Sequence, residues 1–235
     1  MAFSYMVPSL PFSMALLLPA LAVLLCFVVL LKFPSLRIKD HRLLLSFSGA
    51  FLLGITLFEL LPEVFTGQDQ KQTGVFIALG ILLQIILESF SKGAEHGHRH
   101  GSPEGSRFPL MLFVSLGLHA FLEGIPLSSN QAVIWGIAIH KIPVALILGS
   151  FLIESGLSRS TTWLFIGAFA LMTPLGTWMG ALPLLQGIYE YLLALVIGMI
   201  LHVSTIILFE SSRNHAHNIR KLGVILLGLV LAYML

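Results

Sequence analysis

The chain has 235 residues, of which 57% are hydrophobic and only 10% charged, with a mean hydropathy of +0.94. Soluble domains carry about 25% charged residues, so this composition excludes an ordinary water-soluble fold. The net charge of +2 leaves no basic footprint for nucleic acid, and a lone cysteine, Cys26, cannot form an internal disulfide.

Eight stretches approach the ~20 residues needed to cross hydrocarbon. They cover residues 11–31, 42–61, 73–90, 108–127, 131–154, 161–182, 188–209 and 222–235. The sequence therefore reads as an all-α polytopic membrane protein with eight transmembrane helices, one domain over residues 1–235, and the bilayer as an obligatory partner. The first stretch lacks a basic leader and a small-residue cleavage site, so it is expected to be a retained span. Eleven of the thirteen Lys and Arg residues fall on one side of this arrangement. Lys71 lies opposite and Lys141 is within a span. Positive charge marks the cytoplasmic side, which places both termini outside.

Span two carries Glu59 and Glu63 on either side of Pro62. Between spans three and four, residues 91–107 form a cytoplasmic loop containing His96, His98 and His100 among Gly, Ser and Pro. Alternating histidines there either collect soft divalent cations weakly or belong to a solvated linker. Span four contains His119 and Glu123, four residues apart and so on one helix face. Span five contains His140 and Lys141, and span seven contains His202, either an accessory pathway ligand or a structural hydrogen-bonder.

Ionisable side chains in hydrocarbon cost roughly 2.5–3.5 kcal/mol each even on lenient insertion scales, and they mark buried sites or pathways. Two imidazoles and a carboxylate suit zinc, iron or manganese. His119, Glu123 and His140 are therefore the expected ligands of one ion in transit. Glu59 is a candidate accessory group. Lys141, charged, cannot be a ligand and is expected to neutralise Glu123 or Glu59. Pro126, Pro143 and Pro62 each remove an amide donor four residues after Leu122, Ile139 and Phe58. Pro126 and Pro143 are thus expected to break their helices, freeing a carbonyl beside the site.

These segments, with Glu59-Leu-Leu-Pro62-Glu63 and Thr173-Pro174-Leu175-Gly176, resemble the ZIP (Zrt/Irt-like) metal-ion transporters along essentially the whole chain, in the manner of a divergent bacterial-type member. The family's fourth span carries His, then Asp or Glu and Gly, matched by His119, Glu123 and Gly124. Its fifth span reads His-Glu-Ile-Pro-His-Glu, against His140-Lys141-Ile142-Pro143-Val144-Ala145. Ala120 replaces a common Asn or Ser, and Thr173 stands where some relatives have Glu. The resemblance implies spans four and five at the centre, outer spans in inverted repeats, and sliding of one helical unit against another. The departures imply one ion instead of two, with Lys141 in the charge role of the second.

Together these readings give a carrier and not an enzyme: transport of a divalent cation toward the cytoplasm, zinc foremost, with Fe2+, Mn2+ and Cd2+ as alternatives and no resident cofactor. The expected location is a bacterial inner (plasma) membrane, and a homodimer is compatible with the reading although no residue specifies one. The alternatives are an intramembrane metal-dependent hydrolase, for which no His-Glu-x-x-His helix or Ser–His–Asp set is present, and a metal-binding relative that does not transport.

Overall fold

The computed structural model describes residues 12–37, 42–66, 69–91, 108–128, 131–210 and 218–235. Among the described residues the regular structure is entirely helical. With no water in hydrocarbon to satisfy the backbone, long apolar runs close their own hydrogen bonds. The helices are α1 (Phe12–Lys32), α2 (Arg42–Ile55), α3 (Leu61–Phe65), α4 (Gln70–Ser91), α5 (Leu110–Gly124), α6 (Gln131–Glu154), α7 (Arg159–Gly180), α8 (Tyr189–Glu210) and α9 (Asn218–Tyr233). A five-residue π-helical stretch, Thr56–Leu60, joins α2 to α3 without a break, so that the two make one crossing.

Six of the described stretches are long and apolar enough to span a membrane: Arg42–Phe65, Gln70–Phe90, Leu110–Leu127, Ala132–Glu154, Arg159–Gly180 and Pro183–Phe209. The 21 residues of α1 and the 16 of α9 lie where the first and eighth spans are expected. The protein is an all-α polytopic membrane protein. Span five is matched at both ends, whereas α9 begins at Asn218, before the expected boundary at 222. The reason is Lys221, which is 7% exposed and donates from Nζ to the carbonyl of Leu208 at 2.9 Å. Its Nζ thus sits at the C-terminal end of α8, where the helix dipole favours positive charge.

Polar caps set other starts. Asp69 Oδ1 accepts from the amides of Lys71 and Gln72 at 2.9 and 3.3 Å, opening α4. Ser158 Oγ accepts from the Thr161 amide at 3.1 Å, opening α7. The α6–α7 connection turns through Gly156 at φ +75°, a conformation that glycine adopts without strain.

The helices pack in two groups. In the first, α1 lies against α6 and α7, and α5 lies against α7. In the second, α4 lies against α8, and α2 against α8 and α9. Along α6 the packing changes sides. Val133, Ile134 and Ile137 belong to a core with Phe51, Leu52 and Ile55 of α2 and Ile197 and Ile200 of α8. Val144, Ala145, Leu148 and Leu152 belong to another with Phe27 of α1, Leu116 of α5 and Phe165 and Phe169 of α7. His140 and Lys141 fall between these cores.

Glycines set the closest approaches inside each group. A Cβ on Gly176 would overlap the carbonyl oxygen of Phe121, and one on Gly124 that of Thr173, so α5 and α7 touch backbone to backbone. Gly80 and Gly198 do the same for α4 and α8, meeting the carbonyls of Leu195 and Ile77. Where hydrocarbon surrounds a bundle, such contacts replace the hydrophobic drive that water would supply.

Candidate metal centre

His119 and Glu123 project from one face of α5, and the helical spacing puts His119 Nε2 3.1 Å from Glu123 Oε1. His140 reaches the same oxygen from α6, its Nε2 3.8 Å away. One ligand atom from each of the three lies within 4.8 Å of the others. A tetrahedral zinc site with bonds near 2.0–2.1 Å separates its donors by about 3.3 Å, so a small contraction closes the three around one ion.

The site is dry. Glu123 is 0% exposed, His140 and Lys141 are 1% and His119 is 5%. Lys141 Nζ donates to Glu123 Oε2 and lies 5.4 Å from the Phe169 ring centroid. The two carboxylate oxygens thus differ in role. One is held by an ammonium; the other, Oε1, has no hydrogen-bond partner, the one such buried side-chain oxygen or nitrogen among the described residues. A buried carboxylate oxygen without a donor is costly, and a cation seated between the imidazoles would satisfy it.

The remaining sequence candidates lie elsewhere. Glu59 is half-buried in the π-helical stretch and outside the three-residue cluster. His202 Nε2 lies 2.9 Å from Glu88 Oε2, linking α8 to α4 apart from the centre. Glu88 is half-buried against the neighbouring helix. His96, His98 and His100 lie outside the described residues. Thr173 donates to the carbonyl of Ala120 at 3.0 Å, so it closes the α5–α7 contact.

Two expectations about proline are corrected. Pro143 does not break its helix: α6 runs unbroken from Gln131 to Glu154, because one lost hydrogen bond is tolerated in a long helix packed on both halves. Pro126 does follow a break, since α5 ends at Gly124 and a 3-10 turn, Ile125–Ser128, succeeds it. Yet the carbonyl of Leu122 is not left free, because the tighter turn supplies the Ile125 amide.

Sequence reasoning missed two residues at the centre. Gln84 of α4 and Ser48 of α2, both 0% exposed, sit behind the imidazoles. A lone amide amid Leu and Ile in span three was the available signal for Gln84; Ser48 is one of several small residues in α2 and carries none.

Comparison with known proteins covers this region. The family profile described as ZIP zinc transporter matches residues 94–235. Zinc transporter ZIP1 of Danio rerio is 26% identical over 196 residues, covering 60% of this chain and 65% of that protein. Zinc transporter ZIP9-B of Xenopus laevis is 32% identical over 114 residues, 43% and 37% of the two chains. Zinc transporter ZIP9 of Micropogonias undulatus is 30% identical over 131 residues, 51% and 42%. The chain thus spans less than two thirds of the length of these relatives. The matched region runs through the three ligand-type side chains and Lys141. This chain belongs to the ZIP zinc transporter family.

Proposed function

We propose that this chain carries a divalent metal cation, zinc foremost, across a membrane toward the cytoplasm, with His119, Glu123 and His140 as the ligands at mid-passage. The observation that carries the reading is Glu123 Oε1, buried without a hydrogen bond and faced by two imidazole nitrogens. Three protein ligands with water completing the shell hold an ion firmly enough to strip its hydration yet release it.

One ion occupies this centre at a time. Lys141 takes Glu123 Oε2, and Val144, Ala145 and Thr173 offer no ligand for a second. The relatives' names speak of zinc; Fe2+, Mn2+ and Cd2+ suit the same donors and are the competitors to try. The loop 91–107 with His96, His98 and His100 modulates delivery on the cytoplasmic side without being required for passage. Glu59 and His202 flank the route without holding the ion. The location is a plasma membrane, that of a bacterium, and the active assembly is open to a homodimer.

Zinc flux into proteoliposomes tests the proposal. Wild-type protein is expected to fill vesicles with zinc, and His119→Ala to reduce the initial rate at least tenfold while the protein still folds. Unchanged flux in a folded His119→Ala variant would remove the centre from the route. Tight zinc binding without flux in the wild type would leave a binding protein that does not transport.

A further inference from the structure

Both imidazoles use one nitrogen to face Glu123 and the other to reach the opposite helix group. His119 Nδ1 lies 2.9 Å from Gln84 Oε1 on α4. His140 Nδ1 lies 3.1 Å from Ser48 Oγ on α2. His119 and His140 belong to the group of α1, α5, α6 and α7, whereas Gln84 and Ser48 belong to that of α2, α4, α8 and α9.

An amide oxygen only accepts hydrogen bonds, so with Gln84 Oε1 facing it His119 Nδ1 is the donor, and in the neutral ring the lone pair of Nε2 then points toward Glu123. The Ser48 hydroxyl oxygen can accept in the same way from His140 Nδ1. In both rings the nitrogen aimed at Glu123 then becomes the one able to bind a cation. A ligating histidine held through its other nitrogen is fixed in tautomer and orientation and is a better donor.

We propose that Gln84 and Ser48 are positioning residues of the metal centre: they select the cation-binding tautomers of His119 and His140 and, lying on the other helix group, tie metal affinity to the register between the groups. The proposal rests on the reading of His119, Glu123 and His140 as the ion site. Its consequence is a release device. A shift of one group along the other by a single helical turn, ~5.4 Å, separates both pairs. The rings lose their outer anchors, and affinity falls without a change of ligands.

Isothermal titration of the purified full-length chain with zinc chloride tests this. The variants are Gln84→Met, Ser48→Ala, and the conservative Gln84→Glu and Ser48→Thr. Loss of an outer partner typically weakens metal binding by about 10- to 100-fold. Gln84→Met and Ser48→Ala are each expected to lose about tenfold in affinity with one-to-one stoichiometry retained, and the conservative pair to stay within about threefold of wild type. A second readout is the nitrogen-15 signal of labelled histidine in metal-free protein. Gln84→Met should convert one Nδ1-protonated ring into a tautomer mixture, a change that mere loosening of packing would not produce. Wild-type affinity together with unchanged histidine signals in Gln84→Met and Ser48→Ala overturns the proposal. His119→Ala run alongside separates the failures. Wild-type affinity there overturns the ion-site reading itself; weak binding there, with Gln84→Met and Ser48→Ala unaffected, overturns the positioning role alone.

Discussion

Glu123→Ala is expected to abolish zinc flux and to destabilise the metal-free protein as well. The carboxylate has two duties, one per oxygen: Oε1 faces His119 and His140, and Oε2 holds Lys141. Without it, Lys141 is an ammonium, 1% exposed, with its charge partner gone. Breaking a buried pair by removing one member costs about 3–5 kcal/mol, whereas replacing both by apolar groups is often neutral. The double variant Glu123→Ala with Lys141→Met should therefore recover much of the lost melting temperature in detergent while flux stays at background. That split separates the binding duty from the charge duty. Wild-type melting in Glu123→Ala alone would show that the ammonium does not depend on Glu123.

Gly176→Val should be nearly as damaging, although Gly176 is not a ligand. Its added Cβ would overlap the Phe121 carbonyl oxygen and approach Gly124 Cα to 3.2 Å, so α5 must move away from α7. Overpacking a close contact costs about 1–3 kcal/mol or more. Here the displaced helix carries His119 and Glu123, and small shifts at ligands translate into large losses of affinity. Little folded protein, or folded protein with flux down at least tenfold, is the expected outcome. Gly167→Ala on the same helix is the control, because nothing lies within 4 Å of its added Cβ. Near-normal yield and flux are expected there. Equal behaviour of the two variants, measured by size-exclusion profile and zinc flux, would show that the α5–α7 contact does not position the site.

Much of this architecture is legible in the residues because hydrocarbon imposes a simple rule on them. A run such as α6 must satisfy its backbone internally, so its ends fall where polarity returns, at Gln131 and Glu154. The same rule misplaced the start of α9. Arg220 and Lys221 look like loop residues, yet the long lysine stem lets Lys221 reach a helix end while its backbone stays helical. At the centre, His119 and Glu123 declare themselves by spacing along one helix. His140 and Lys141 meet them across a helix boundary, where no periodicity constrains the pairing, and the link rested on a second buried histidine beside a proline in the next apolar stretch. Gln84 and Ser48 lie still further from reach, since their role depends on which face of α4 and α2 turns toward α5 and α6. The break at Pro126 was legible, but the free carbonyl expected at Leu122 was not there, because a free carbonyl is a statement about neighbours and a 3-10 turn at Ile125 supplied one.

The ion pair between Lys141 and Glu123 also fixes how the membrane potential would act on a transport cycle. With neutral imidazoles the empty centre carries no net charge, and the loaded centre carries the full two charges of the cation. The field contributes about 2.3 kcal/mol per elementary charge per 100 mV. An inward step of the loaded centre across the whole field would therefore gain up to about 4.6 kcal/mol at 100 mV, inside negative, from the same relation. The empty return would be electrically silent. A lone carboxylate would divide that work between the two steps, because it would carry its own negative charge in both directions. In the proposed transport cycle, Lys141 would concentrate the voltage dependence in the step that moves metal, and resetting the empty carrier would proceed at the same rate in a polarised membrane and a depolarised one.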